Sequence, residues 1–498
     1  MVTTLADRVA RIKGGLARAA LGQTVNLAHH SDFFRDWVVR RLAEGLGRSY
    51  EELQPHDETL RLQKWFGRSL RPFVCRLIEE RPRAARALVR LAYVWAADMK
   101  RRATMAPRAA GVSPCTVVIE PTARCNLNCP GCYAKSTRRG EDMSYDMLRA
   151  TVAEVQAMGV TLVTLSGGEP FMREREERAI SRLAHEFPDL GFLVYTNGLL
   201  IDEPAADRLG ETGNVFPAIS IEGGEMESDT RRGRNYYSRT HQVRRLLAER
   251  DVMFGFSATV TRQNAALVAS EDFIDRRVEE GDFFGWYFIL QPIGREPDPH
   301  LMVTADQRRW LREQLYRFRA EEKPIFIGDF WNDGQLVEGC IAGGRYYFHI
   351  YADGEISPCV FSPVSCGNIH DIVNGESEYD SLGDFVVGHP FFRGFRQKQK
   401  QVPDWRAPCL LIDNPQLFRE LCQDPHWHPA KNMPPGYLDG PIAQAIDEAS
   451  QAWKRSLGEQ PRVPESVQKA MRRHDEQDRR RDERRRWCLR GMTHAGRA

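Results

Sequence analysis

The chain contains no long apolar run. In its 498 residues the longest nearly apolar stretch is 87–97, which Arg90 interrupts, and it is far too short to cross a bilayer. The sequence also lacks the pattern of a secretory signal peptide. Its cysteine count is odd, at eleven, and three of the cysteines lie within eight residues. Because this pattern is atypical of a disulfide framework, we expect reduced thiols and a cytoplasmic location.

The sequence also lacks an excess of charge of one sign. Its 70 basic residues face 68 acidic ones, which gives a formal net charge of +2. The most basic segment, 472–490, interleaves its arginines with aspartate and glutamate, as solvated helices and tails do. No nucleic-acid partner is therefore expected.

Residues 1–110 are predicted to form an N-terminal helical domain rich in arginine. Leu5, Val9, Ile12 and Leu16 recur at helical spacing, with basic residues on the other faces. Two interpretations remain open. The apolar stripe can pack on the rest of the protein, or it can give the domain peripheral contact with a membrane surface.

From residue 116 onward, predicted strands alternate with helices. The first helix is well marked, since Ser144 can cap its start and Gly159 can end it. Repeated βα units indicate an α/β fold with a parallel sheet, in which chemistry gathers at the carboxyl ends of the strands. The six strands are predicted at 116–120, 161–166, 191–196, 215–221, 254–261 and 284–291.

Three thiols follow the first predicted strand directly. Cys125, Cys129 and Cys132 are spaced so that one short loop can turn all three sulfurs toward a common point. Structural zinc sites and ordinary iron-sulfur sites take four protein ligands, and this loop has no fourth thiol. The loop therefore suggests an iron-sulfur cluster with one iron left open. The alternative is a set of buried structural cysteines or half of a zinc site.

Each later strand ends in a polar or glycine-rich group. The second ends in 166–170, Ser-Gly-Gly-Glu-Pro, where two glycines let backbone approach a ligand and Glu169 can accept hydrogen bonds from an ammonium group. The third ends in 196–198, Thr-Asn-Gly, and the fourth in 220–224, Ser-Ile-Glu-Gly-Gly. All of these groups are expected at one edge of the sheet.

The thiol loop, the Gly-Gly-Glu-Pro strand end and the ending of the fourth strand together resemble the radical S-adenosylmethionine (radical SAM) enzymes. The resemblance implies a partial (βα)6 TIM-like barrel. It also implies that Cys125, Cys129 and Cys132 hold a catalytic [4Fe-4S] cluster whose open iron binds S-adenosylmethionine. The positions that would contact this cofactor are Tyr133, Gly167, Gly168, Glu169, Pro170, Asn197, Ser220, Glu222, Thr259 and Asn264.

Such enzymes cleave S-adenosylmethionine reductively and generate a 5′-deoxyadenosyl radical that takes a hydrogen atom from the substrate. A one-electron reductase, flavodoxin or ferredoxin is then an expected partner. One departure from the family concerns the aromatic residue that usually precedes the third cysteine. That position is Gly131 here, and the aromatic follows the cysteine as Tyr133.

A second group of cysteines lies downstream. Cys340 and Cys359 flank a predicted β-hairpin that turns at 352–354. This pattern resembles the SPASM and twitch extensions of the family, which implies at most one auxiliary [4Fe-4S] cluster. Its ligands would be Cys340, Cys359 and Cys409, with either Cys366 or Cys422. The alternative is a hairpin with buried free thiols and no cluster.

These observations predict four domains: 1–110 helical, 111–325 the radical SAM core, 326–430 the SPASM-like extension, and 431–498 a helical, basic tail. The predicted function is hydrogen abstraction from an unidentified substrate, either a peptide or a lipid or other hydrophobic small molecule. The alternative hypothesis is a protein that is not an enzyme, namely a zinc-binding or thiol-based scaffold.

Overall fold

A computed structural model describes residues 57–91, 112, 114–477 and 479–480. The strands are β1 Thr116–Thr122, β2 Leu162–Gly167, β3 Gly191–Thr196, β4 Val215–Ser220, β5 Gly255–Val260, β6 Phe284–Ile289, β7 Phe326–Asp329, β8 His349–Ile350, β9 Ile356–Ser357, β10 Val364–Ser365 and β11 His428–Pro429. The helices are α1 Asp57–Ser69, α2 Arg71–Glu80, α3 Tyr145–Ala157, α4 Phe171–Glu177, α5 Ala179–Glu186, α6 Glu203–Thr212, α7 Glu225–Arg232, α8 Tyr236–Ala248, α9 Ala265–Val268, α10 Glu271–Glu279, α11 Ala305–Ala320, α12 Ile369–Asn374, α13 Leu382–Gly388, α14 Pro390–Gln399, α15 Pro415–Leu421 and α16 Pro441–Gly458.

One nine-stranded sheet organises the chain, in the order β7-β6-β5-β4-β3-β2-β1-β8-β9. Neighbouring strands from β1 to β7 pair in parallel, and β8 pairs in parallel with β1 before it turns into antiparallel β9. The predicted α/β class and all six predicted strands are confirmed. The sheet is larger than the predicted six-stranded barrel, because β7 and the β8–β9 hairpin extend it at its two edges.

Both ends of helix α3 could be predicted from the sequence, because local signals define them. The Ser144 side chain accepts a hydrogen bond from the Met147 amide, and Leu148, Val152 and Val155 are buried along one face. Gly159 follows the helix with a positive φ of 74°, which an L side chain rarely adopts. The cap, the apolar stripe and the terminal glycine are local signals, so the prediction did not depend on tertiary structure.

The described part of the N-terminal region, 57–91, packs on the rest of the protein. Leu77, Ile78 and Leu91 share a buried cluster with residues near the amino ends of the strands, including Phe283 and Phe284. Arg76 also donates to the carbonyls of Val278, Asp282 and Pro324. For this part of the domain the packing interpretation is therefore correct. The apolar stripe of residues 5–16, with its possible membrane contact, lies outside the described residues.

Among the described residues, no helix has the length and apolar character that a membrane span requires.

The hydrophobic core joins both halves of the chain. Residues from the barrel, such as Leu165 and Phe256, and from the C-terminal half, such as Phe348 and Ile446, belong to one buried cluster.

A buried ionic group fastens the C-terminal half to strand β1. The Glu120 carboxylate is fully buried and lies 2.9 Å from Lys431 Nζ and 3.3 Å from His349 Nε2. Lys431 also lies over the Tyr351 ring, at 4.9 Å from its centroid. Burial alone would raise the pKa of Glu120, but Lys431 and then His349 outweigh it, and the pKa lies below its usual value.

Replacing Lys431 by methionine should therefore destabilise the metal-free protein by about 3 kcal/mol at pH 7, since it leaves a buried carboxylate without its cation. In the wild type, the paired Glu120 carboxylate contributes to the free energy of unfolding. This contribution is present above the unfolded pKa of about 4.3 and is lost as the pH falls below it. In the variant the pKa of Glu120 rises instead. In urea unfolding experiments, the loss of stability relative to the wild type should thus be largest near neutral pH and should shrink toward pH 5.

Lys398→Met is the matched control. Lys398 pairs with Glu420, whose side chain is 52% exposed, so its loss should cost less than about 1 kcal/mol with little dependence on pH. Equal effects of the two variants would show that the Glu120–Lys431 pair does not fasten the C-terminal half.

Candidate functional site

Backbone hydrogen bonds close the thiol loop at its base. The Cys125 amide donates to the Thr137 carbonyl at 2.9 Å, and the Thr137 amide donates back to Ala123 at 3.2 Å. Within the loop, the Leu127 amide points at Cys125 Sγ, at 3.4 Å. The loop therefore leaves strand β1 and returns beside it, so the three cysteines stay at the carboxyl edge of the sheet.

Two arginines from distant segments hold the loop from outside. Arg295 donates to the Cys129 carbonyl at 3.0 Å and also reaches the Ser136 carbonyl. Arg231 donates to the carbonyls of Pro130 and Gly131, at 3.3 and 3.4 Å. The sequence analysis missed both residues. Their contacts with the loop are all to backbone carbonyls, so no local pattern marks them.

The Gly-Gly-Glu-Pro strand end docks directly on the same loop. The Gly168 amide donates to the Thr122 carbonyl at 2.9 Å, and the Glu169 amide donates to Arg124 at 2.8 Å. A Cβ on Gly168 would lie 2.6 Å from the Arg124 carbonyl carbon, so a side chain cannot fit there. The diglycine therefore lies at the same edge as the thiols.

Glu169 links three strand ends. Its buried carboxylate accepts from Thr196 Oγ1 at 2.6 Å and from the Asn197 amide at 2.7 Å. The Asn197 side chain in turn donates to Asn126, within the thiol loop, at 2.8 Å. Burial raises the pKa of Glu169 despite these hydrogen bonds. In this structure the Glu169 carboxylate is hydrogen-bonded to the end of the neighbouring strand and is not unbonded.

Glu222 and Asn264 are held by other protein groups. One Glu222 oxygen, Oε1, accepts from Arg231 and Arg232 at 2.6 to 2.8 Å, while Oε2 is buried without a hydrogen-bond partner. Burial would raise the pKa of Glu222, but the two arginines lower it below its usual value. Asn264 donates to the Glu222 and Thr259 carbonyls, at 2.9 and 3.0 Å.

A single cavity of about 340 Å³ brings most of the predicted site together. The predicted residues on its wall are Cys125, Cys129, Cys132, Tyr133, Gly167, Gly168, Glu169, Asn197, Ser220 and Thr259. Pro170, Glu222 and Asn264 do not line it, so the structure provides no direct path from them to a ligand in this cavity. Tyr133 reaches across to strand β2, where its hydroxyl lies 2.6 Å from Ser166 Oγ.

Two buried polar groups on the cavity wall lack partners. The Gln291 amide, 4% exposed, has neither its nitrogen nor its oxygen hydrogen-bonded, and Ser136 Oγ is unpaired as well. Unpaired buried polar atoms are costly, so they indicate a polar ligand or ordered water at this place. Among the described residues, no group of three or more His, Cys, Asp or Glu could hold a single metal ion.

The downstream cysteines fall into two groups. The pKa of the Cys409 thiol is raised well above its usual value by burial, then by Asp413, and further by Cys340 and Cys359. The pKa of Cys366 is raised by burial and then by Glu355 and Cys422. Cys340, Cys359 and Cys409 are therefore neighbours, whereas Cys366 and Cys422 neighbour each other. A phenol, Tyr347, lies 2.8 Å from Cys359 Sγ.

Comparison with known proteins agrees with this site. The family model of the radical SAM superfamily matches residues 119–258. The chain is 26% identical over 287 residues to the AdoMet-dependent heme synthase of Methanosarcina barkeri, covering 52% of this chain and 80% of that protein. It is 24% identical over 291 residues to the sporulation killing factor maturation protein SkfB of Bacillus subtilis, covering 56% and 65%. It is 25% identical over 264 residues to the PqqA peptide cyclase of Bradyrhizobium diazoefficiens, covering 49% and 66%.

Among solved structures, SuiB of Streptococcus suis bound to S-adenosylmethionine aligns with a TM-score of 0.46 at 17% identity, covering 62% of this chain and 73% of that chain. The enzyme anSMEcpe with bound AdoMet and Cp18Cys peptide aligns with a TM-score of 0.47 at 20% identity, covering 69% and 98%. The family match and the sequence relatives show that this chain carries a domain of the radical SAM superfamily of enzymes, within which the thiol loop lies at the carboxyl edge of the parallel sheet.

Proposed function

We propose that this enzyme reductively cleaves S-adenosylmethionine at a [4Fe-4S] cluster held by Cys125, Cys129 and Cys132. The observation that supports the proposal is the shared cavity, which is lined by all three cysteines and by the diglycine of 167–168. Three thiols suit a cluster with one open iron better than a four-ligand zinc site. The unpaired amide of Gln291 and the glycine cradle fit a polar cofactor beside it.

In this proposal the strand ends hold the cofactor. Gly167, Gly168 and Glu169, with Pro170 behind them, form the side that would face its amino group. Asn197, Ser220 and Thr259 offer polar groups along the next three strands. Glu222 and Asn264 act through Arg231, Arg232 and the backbone, since they do not line the cavity. When bound, the cluster and S-adenosylmethionine supply an electron and a 5′-deoxyadenosyl group for hydrogen abstraction.

A peptide is the proposed substrate. One relative is named a PqqA peptide cyclase, and another is named a maturation protein of a sporulation killing factor. A hydrophobic small molecule is the second candidate, and it is supported by the AdoMet-dependent heme synthase and by the apolar lower part of the cavity. Either substrate would require a one-electron reductase, flavodoxin or ferredoxin as the electron donor.

The proposed domain organisation assigns the SAM chemistry to 111–325 and the second thiol group to the extension 326–430. The helical segments 1–110 and 431–498 flank this pair. We propose that Cys340, Cys359 and Cys409 hold one auxiliary [4Fe-4S] cluster. The fourth ligand would be Cys366 or Cys422, and the Tyr347 hydroxyl, 2.8 Å from Cys359 Sγ, would lie beside the cluster.

The test is anaerobic reconstitution of the full chain with iron and sulfide, reduction, and incubation with S-adenosylmethionine. We expect brown protein with about four irons per chain for one cluster, or about eight for two, and formation of 5′-deoxyadenosine. Colourless protein that contains zinc and yields no 5′-deoxyadenosine would support the scaffold hypothesis and contradict the proposal.

A further inference from the structure

Aromatic rings form a large part of the cavity wall. Apart from Tyr133, six aromatic side chains line it, and we call them the aromatic chamber: Tyr195, Trp286, Phe288, Phe330, Tyr347 and Phe361. Ring contacts join all of them except Trp286. The ring centroid of Phe288 lies 5.4 Å from that of Tyr195, 5.6 Å from that of Phe330 and 6.0 Å from that of Phe361.

Two rings of the chamber lie deeper in the barrel than the proposed cofactor site, while Phe361 lies beside it, 5.5 Å from the Tyr133 ring. Tyr195 precedes Asn197 by two residues, and Trp286 precedes Gln291 by five. At about 3.3 Å per residue, these rings lie about 7 and about 16 Å below the polar strand ends. A cofactor held at the carboxyl edge would therefore leave this deeper part of the chamber for another molecule.

Charged groups line the cavity only at its upper edge. They are Glu169, which follows β2, and Arg231, Arg232 and Arg295, which hold the loop or Glu222. Lower down, the Thr116 and Thr164 hydroxyl groups lie 3.0 Å apart and pair with each other, and the other hydroxyl groups are uncharged. An ionised substrate group in the chamber would lose its hydration and gain no partner.

The rings also expose surface that their neighbours along the strands do not. Val194 and Tyr287 are fully buried, whereas Tyr195, Trp286 and Phe288 are only half-buried. The alternation follows from strand geometry, in which every second side chain faces the barrel interior. Apolar ring surface left open to a cavity is a surface that a ligand can cover.

Taking the proposed function as its basis, we infer that the aromatic chamber receives an uncharged aromatic ring of the substrate, such as an aromatic side chain of a peptide. Five rings in edge and tilted contact, with Trp286 beside them, offer another ring the geometry that aromatic pairs prefer. An aliphatic chain would gain the apolar contact without that geometry, and a lysine or aspartate side chain would lose hydration.

The test uses the full, reconstituted protein loaded with S-adenosylmethionine. The probes are N-acetyl-Gly-X-Gly amides in which X is tyrosine, phenylalanine, leucine, lysine or aspartate, and binding is measured by equilibrium dialysis. We expect the tyrosine and phenylalanine peptides to bind about fivefold to tenfold more tightly than the leucine peptide, and more tightly still than the charged ones. Phe288→Leu should remove this preference.

Trp310→Leu is the control, because Trp310 is 44% exposed on helix α11 and does not line the cavity; it should retain the preference. Should Phe288→Leu fail to fold, Phe361→Leu tests the opposite wall. The inference is overturned if the wild type shows no aromatic preference, or if the preference survives in Phe288→Leu and Phe361→Leu. Loss of 5′-deoxyadenosine formation by the wild type would instead count against the proposed function.

Discussion

Replacing Cys129 by alanine is expected to abolish both the cluster of the thiol loop and the formation of 5′-deoxyadenosine. Two thiolates cannot replace three ligands, so the rate of S-adenosylmethionine cleavage should fall by about three orders of magnitude or more. Iron and sulfide analysis of anaerobically reconstituted protein should show a loss of about four irons per chain. Cys125→Ala and Cys132→Ala should behave in the same way.

Cys75→Ala is the matched control for this experiment. Cys75 lies in helix α2 and does not line the cavity, so its replacement should leave iron content and product formation near those of the wild type. Retention of iron and of 5′-deoxyadenosine formation by Cys129→Ala would show that the loop does not hold the catalytic cluster.

A methyl group added at Gly168 should be nearly as damaging, by a different route. The new Cβ would lie 2.6 Å from the Arg124 carbonyl carbon and 2.9 Å from that of Ala123, so the thiol loop or strand end must move. Overpacking against backbone costs about 3 kcal/mol. We expect Gly168→Ala to lower the urea midpoint and to weaken S-adenosylmethionine binding, measured by equilibrium dialysis, by more than about tenfold.

Gly458→Ala provides the comparison at the end of helix α16. A Cβ at Gly458 would meet no atom within 4 Å, and alanine suits a helix better than glycine. This variant should be neutral or slightly more stable. If both variants bind S-adenosylmethionine equally well, close backbone contact at Gly168 is not needed to form the site.

Local patterns were enough to predict the centre of this molecule. The six strands, the cap and end of helix α3 and the meeting of the thiols with the diglycine all follow from periodicity and from the rule that parallel strands end together. Strand β7 escaped prediction because it has only four residues, too few for a pattern, whereas the hairpin of β8 and β9 was predicted without its place in the sheet. The parallel pairing of β8 with β1 joins segments far apart in sequence.

The site residues show the same division. Cysteines, glycines and polar residues at strand ends carry a recognisable pattern, whereas Arg231 and Arg295 are ordinary arginines until the fold brings them to the loop carbonyls. The sequence also could not reveal that Glu222 would face two arginines instead of the cavity. Side-chain direction at the end of a strand depends on neighbours that are remote in sequence.

The fastening of Glu120 by Lys431 has a consequence for biosynthesis. These residues are 311 positions apart, so strand β1 emerges from the ribosome long before its ionic partner exists. At 5 to 20 residues per second the interval is about 15 to 60 s. During that time one edge of β1 is unpaired because β8 has not yet been made, and Glu120 in β1 has no Lys431 to pair with. If this loop holds the proposed cluster, its iron is best delivered once most of the chain has been translated.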